Sequence, residues 1–71
     1  MLKSFDECIY YIVRSADGGP LDPVYLDHAL EHMKADPKSL SPLELKCLVM
    51  AASRQGKLDE LDRIFGFKGG D

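Results

Sequence analysis

The chain has 71 residues, of which 45% are hydrophobic and 30% are charged, and its net charge is −3. That length allows one domain with a marginal hydrophobic core, and the composition is that of an ordered globular protein. Twelve acidic residues against nine basic ones, with no run of Lys or Arg, argue against a nucleic-acid binder.

The cysteine content and the apolar runs indicate where the protein works. Cys8 and Cys47 are too few for a disulfide scaffold and lack the CxxC spacing of a zinc or redox motif. Reduced thiols in the cytoplasm are therefore expected. The apolar run from Cys8 to Val13 is too short for a signal peptide or a membrane span. The sequence predicts a cytoplasmic protein with no membrane association.

Two helices are predicted in the first half of the chain. Ser4 and Glu7 have the spacing of a capping box, and apolar residues then recur at steps of three and four over 4–16. Asp22 as N-cap and Pro23 as first helical residue begin a second helix over 22–35. Its apolar stripe is Leu26, Ala29, Leu30 and Met33.

Two further helices follow the same rules. Ser41, Pro42 and Glu44 form a capping box with proline at the first position, which predicts a helix over 41–55. A short helix over 57–66 places Leu58, Leu61 and Ile64 inward and stops at Gly66. No segment alternates with strand periodicity. The prediction is an all-α compact bundle of four short helices, one domain over 1–66 with a flexible tail over 67–71.

The segment 45–65 resembles one helix-turn-helix unit of a tetratricopeptide or pentatricopeptide array. The resemblance rests on a pair of small residues, on Gly56 at the turn, and on the ending L-x-x-L-x-x-I-F. Such arrays need about three repeats to build a continuous core. Because the match covers less than a third of this chain, it implies a helix pair and no function.

The residues from His28 to His32 read H-x-x-E-H, which resembles the zinc signature of the inverzincin metallopeptidases. That resemblance implies His28 and His32 as metal ligands beside Glu31 as a base. On a helical wheel with Leu26 at zero, the two histidines fall at about 200° and 240°, opposite the apolar stripe, so we expect both to face solvent. The family's third ligand lies far downstream in a larger protein, and a catalytic zinc site needs it.

A metal-binding module that uses His28 and His32 is therefore an alternative hypothesis, while no enzyme and no cofactor are predicted. A nucleic-acid-binding helix-turn-helix is the third choice, since Ala52 precedes the turn residue Gly56 by the required four positions. However, Asp62 occupies a position that needs an apolar residue. The would-be recognition helix, 57–63, carries three acids against two bases, and phosphates would repel it.

The third predicted helix is apolar on two faces. With Leu43 at zero, Leu48 and its neighbours fall between about 140° and 240°, whereas Leu43, Cys47 and Met50 lie between about 340° and 40°. A helix that is apolar nearly all round is buried nearly all round. Either the other three helices wrap it completely, or its second face meets another protein. The short chain favours the second possibility.

The tyrosines also favour an interface. Tyr10 and Tyr11 fall outside the core stripe of the first helix, and Tyr25 is in line with the two histidines of the second. Tyrosine is enriched where proteins bind one another. The sequence thus predicts a small non-enzymatic protein–protein interaction module, a regulator or inhibitor like an immunity protein, an antitoxin or a phage antagonist. It docks on a protein partner or forms a homodimer. The predicted partner-binding residues are Tyr10, Tyr11, Tyr25, His28, His32, Leu43, Cys47 and Met50.

Overall fold

The computed structural model describes residues 1–36 and 39–65. In these ranges the chain forms four α-helices and no strand, which confirms the all-α prediction. The helices are α1 (Phe5–Arg14), α2 (Pro23–Ala35), α3 (Pro42–Gln55) and α4 (Leu58–Phe65), with a 3₁₀ turn at Ser15–Asp17 after α1. Every helix end lies within two residues of its predicted position. The predicted stop at Gly66 and the tail over 67–71 lie outside the described residues.

Side-chain caps begin three of the helices. The Ser4 hydroxyl accepts a hydrogen bond from the Glu7 amide at 3.1 Å, and the Asp22 carboxylate accepts one from Val24 at 3.0 Å. Ser41 and Glu44 complete the predicted capping box, with bonds of 3.2 and 2.9 Å. Each bond satisfies an amide that the helix itself leaves without a partner. The sequence therefore fixes these helix starts locally.

Two glycines with positive φ end helical segments. Gly18 (φ 100°) follows the 3₁₀ turn, and Gly56 (φ 69°) follows α3. After Gly56 the Lys57 amide donates to the Ala52 carbonyl oxygen at 2.8 Å. The left-handed conformation is strained for other residue types, so glycine is needed at both turns.

The hydrophobic core lies around α3, which packs against α1, α2 and α4. One side of α3 is buried and carries Cys47, Leu48, Ala51 and Ala52. Leu43, at the start of the helix, is 62% exposed. Leu58, predicted to point inward, is instead 39% exposed at the start of α4. The buried core residues are Cys8, Ile9, Ile12, Leu26, Ala29, Leu30, Met33, Cys47, Leu48, Ala51, Ala52 and Leu61.

Surface ion pairs connect α4 to α2. The Lys57 ammonium lies 3.3 Å from the Asp27 carboxylate and 3.5 Å from that of Glu60. The Lys34 ammonium lies 3.1 Å from the Glu60 carboxylate. The hydrogen bond to Asp27 raises the pKa of Lys57, and the one from Lys34 lowers the pKa of Glu60. The Glu60 carboxylate therefore pairs with two lysines where α4 meets α2.

Candidate functional site

A groove of about 480 Å³ lies between α1 and the segment that leads into α3. Its floor contains Phe5, Ile9 and Val13, which are spaced by four residues and so form one row along the helix. The opposite wall comes from the segment before α3 and its first turn, with Leu40 as the apolar side chain. The remaining lining residues are Asp6, Tyr10, Arg14, Ser39 and Glu44.

The α1 edge of this groove is a second row of side chains with the same spacing: Asp6, Tyr10 and Arg14. Tyr10 is 54% exposed. Arg14 Nη1 donates to the Tyr10 hydroxyl at 2.9 Å, and the guanidinium lies 5.5 Å from the centre of the Tyr10 ring. The hydrogen bond raises the pKa of Arg14 above its usual value. An apolar groove and an ordered tyrosine–arginine ridge therefore lie side by side on α1.

The structure brings the three predicted tyrosines together. The Tyr10 and Tyr11 rings meet edge to face at 5.3 Å, and Tyr11 stacks on Tyr25 with 4.4 Å between ring centres. The Lys3 ammonium lies 5.5 Å from the centre of the Tyr25 ring. Burial of the hydroxyl, helped by Tyr11, raises the pKa of Tyr25. A continuous row of aromatic rings thus extends from the ridge across to α2.

The two histidines do not face solvent, so that prediction was wrong. Both are partly buried, and both hold the backbone of Lys3. The Lys3 amide donates to His28 Nδ1 at 3.0 Å, and His32 Nε2 donates to the Lys3 carbonyl oxygen at 2.6 Å. The Phe5 ring adds an edge contact to His32 at 6.1 Å. A helical wheel drawn for α2 alone cannot show the segment before α1. That segment packs over the face of α2 that carries both histidines.

The three residues predicted on the second face of α3 have different environments. Leu43 is 62% exposed, Met50 is partly buried, and Cys47 is buried at 4% exposure. Cys47 therefore contributes its side chain to the core. Cys8 is buried too, neither cysteine forms a disulfide, and burial raises the pKa of Cys8, with a further contribution from Glu7. The second face of α3 is therefore exposed at Leu43, near the start of the helix, and covered by neighbouring helices at Cys47.

The groove is not visible in the sequence because its walls come from separate parts of the chain. The spacing of Phe5, Ile9 and Val13 predicts that they point inward, and they do lie in or against the core, whereas Leu40 has no predicted role. One local signal was available. Leu40 directly precedes the N-cap Ser41, where an apolar residue often packs against the helix that follows. The adjacent row of Asp6, Tyr10 and Arg14 is likewise visible in the sequence as residues four apart.

Among residues 1–36 and 39–65, no cluster of three or more His, Cys, Asp or Glu side chains is arranged to hold a metal ion. Within the same ranges no helix combines the length and hydropathy needed to cross a bilayer. No protein-family model matches the chain, and no curated protein or solved structure matches it either.

Proposed function

We propose that this protein is a small non-enzymatic module that binds another protein through the α1 groove. The observation that carries the proposal is the apolar floor of the groove next to the ordered pair of Tyr10 and Arg14. Tyr and Arg are the residue types that most often dominate binding energy at protein interfaces.

The chemistry of the groove favours docking over catalysis. Its floor is aliphatic and aromatic, and Glu44 already accepts a hydrogen bond from the Ser41 amide in the capping box. The chain has two histidines, and both bond the Lys3 backbone away from the groove. A general base or nucleophile needs a partner within hydrogen-bond reach of a substrate site. The groove lining contains the carboxylates of Asp6 and Glu44 but no histidine or cysteine.

The same contacts weigh against the two alternative functions. A metal ion bound to His28 would break the hydrogen bond that Nδ1 accepts from the Lys3 amide. A nucleic-acid surface needs basic side chains available to phosphates. Lys34 and Lys57 are instead paired with Glu60. Neither alternative has an observation that favours it.

A protein that binds without catalysing a reaction acts by blocking or altering its partner. We therefore propose that this protein is a regulator or inhibitor, similar in role to immunity proteins, antitoxins and phage antagonists. We also propose that it works in the cytoplasm. The support for that location is the pair of buried cysteines, Cys8 and Cys47, which remain unlinked.

Photo-crosslinking in cells of the source organism tests the proposal. A benzoylphenylalanine at Tyr10 is expected to give a discrete crosslinked product with a protein. The same probe at Lys46, an exposed residue of α3 outside the groove, is expected to give none. Leu40→Asp, which places a charge in the groove, should remove the Tyr10 product while far-UV circular dichroism stays helical. Equal products at both positions, or none at Tyr10, would contradict the proposal.

A further inference from the structure

We infer that the α1 groove binds the α1 ridge of a second copy of this chain, so that two copies form a symmetric antiparallel dimer. This inference rests on the proposed function, since it names the partner that occupies the same groove. The α1 ridge is the row Asp6, Tyr10 and Arg14, and the floor beside it is the row Phe5, Ile9 and Val13. Each copy thus offers both halves of the contact.

The shape of the surface is self-complementary. Both rows follow α1 with the same spacing of four residues, and packing between helices commonly inserts such a row of one helix into the groove of the other. The middle residue of the ridge is Tyr10, which is 54% exposed, and the middle residue of the floor is Ile9, which is 6% exposed. In a two-fold arrangement, Tyr10 of each copy enters the groove of the other over Ile9.

The charges of the ridge fix the antiparallel direction. Asp6 and Arg14 are eight residues apart, which corresponds to about 12 Å along a helix. When two such ridges run in opposite directions, Asp6 of each copy faces Arg14 of the other, and the contact forms twice. A parallel arrangement would bring like charges together. In the antiparallel two-fold dimer, each charged end of the ridge therefore faces an opposite charge.

Glu44 adds a second acid at the end of the groove where Asp6 lies. Arg54 Nη1 donates to the Ser15 carbonyl oxygen at 3.2 Å, and Ser15 and Ala51 line one small cavity. The C-terminal ends of α1 and α3 are therefore adjacent, and the two helices run in the same direction. The first turn of α3, with Glu44, then lies beside the N-terminal half of α1. Arg14 of the second copy meets two carboxylates there.

The guanidinium of Arg14 is already positioned for this contact. It carries five N–H donors, and the Tyr10 hydroxyl accepts one of them at 2.9 Å. Because Tyr10 orders the side chain in the single copy, less conformational entropy is lost when the dimer forms. The contact surface is short, which predicts a weak dimer with a Kd of about 10–100 µM.

Sedimentation equilibrium tests the dimer with the chain alone. Wild type is expected to pass from monomer to dimer as its concentration rises through this range. Asp6→Arg and Arg14→Glu each place two pairs of like charges in the interface, and each should raise the Kd about tenfold or more. Lys46→Glu makes the same charge change as Arg14→Glu at an exposed position outside the groove, and it should leave the Kd unchanged.

Mixing the two charge variants gives the decisive result. In a heterodimer of Asp6→Arg with Arg14→Glu, both ends of the ridge again face opposite charges, so the mixture should dimerise at a concentration at which each variant alone is mostly monomeric. A wild-type chain that stays monomeric at 1 mM (about ten times the weakest expected Kd) would overturn the inference, and so would a mixture that stays monomeric. A Tyr10 crosslink to a different protein would then leave the docking function standing with another partner.

Discussion

The carbonyl oxygen of Lys3 lies 2.6 Å from Nε2 of His32. Together with the bond from the Lys3 amide to His28, this satisfies both backbone groups of one residue with two side chains that are one helical turn apart. The segment before α1 is thereby held on α2, and the Lys3 ammonium reaches the Tyr25 ring. The two histidines thus order the end of the tyrosine row.

Replacing either histidine with alanine is expected to release this segment. Each change removes a partly buried hydrogen bond, which costs about 1–2 kcal/mol, and lowers the Tm by about 4–8 °C per kcal/mol in a domain of this size. Thermal unfolding followed by circular dichroism measures the loss. Amide hydrogen exchange at Lys3 should accelerate in His28→Ala and stay slow in Lys46→Ala, a control on the exposed surface of α3. Unchanged exchange in His28→Ala would contradict the bond.

Zinc is expected to leave the Tm of the wild-type protein unchanged. To bind His28, the ion must break the hydrogen bond from the Lys3 amide, because it either takes Nδ1 itself or leaves Nδ1 protonated, whereas His32 can keep its bond to the Lys3 carbonyl oxygen. Two ligands without a third do not make a stable zinc site in a protein. Thermal unfolding with and without equimolar zinc measures this. A Tm that rises with zinc in wild type, and not in His32→Ala, would instead favour the metal-binding hypothesis.

Leu43 and Leu48 provide a matched pair on α3. Leu48 is fully buried, so Leu48→Ala leaves a cavity and is expected to cost about 2–5 kcal/mol in the free energy of unfolding. Leu43 is 62% exposed, and Leu43→Ala should change it by less than about 0.5 kcal/mol. Urea unfolding of both variants measures the difference. Similar losses would mean that Leu43 is covered in solution.

How much the sequence predicted depends on whether a feature is local. Ser41 and Glu44 sit three residues apart and bond each other's amides, so their spacing alone gives the start of α3. The helical stripes are local in the same sense, and the four helices follow from them. The environments of His28 and His32 depend on Lys3, a residue more than twenty positions away, and no periodicity within α2 carries that information.

The groove is non-local for a similar reason. Its floor comes from α1 and its opposite wall from Leu40 and Glu44, and these segments meet only because α1 and α3 run side by side. The same packing explains the divided face of α3. Cys47 and Leu43 are one turn apart on the wheel, but the neighbouring helices cover Cys47 and leave Leu43 exposed. Amphipathicity identifies an apolar face and does not show which part of it a short chain will cover.

Substitutions at Gly56 and Gly19 test whether the end of α3 requires glycine because of its positive φ. Gly56 has φ 69°, and a side chain there would meet no atom within 4 Å, so the cost of Gly56→Ala is conformational alone. It should be about 1–2 kcal/mol. A side chain at Gly19 is equally free of contacts, and its φ lies outside the left-handed region. Gly19→Ala should therefore be neutral or slightly stabilising in chemical denaturation. An equal cost at both positions would contradict the assignment of the strain to φ.

The stabilising effect of Glu60 is expected to disappear in acid. The hydrogen bond from Lys34, with help from Lys57, lowers the pKa of Glu60 in the folded protein. A lowered pKa means that the carboxylate stabilises the fold above the ordinary glutamate value of about 4.3, and that this contribution is lost as the pH falls through the lower folded value. Glu60→Gln should thus be less stable than wild type at neutral pH, and the two should converge in acid.

The size of this effect is limited because the charged groups are largely exposed to water. About a third of the Glu60 side chain and nearly half of that of Lys34 are exposed, so Glu60→Gln should cost only a few tenths of a kcal/mol. Urea unfolding from pH 7 down to about pH 3 measures it, and 1 M salt should shrink it. Glu31→Gln is the matched control, because its carboxylate lies 4.0 Å from Lys34. A difference that grows as the pH falls would mean that Glu60 destabilises the fold.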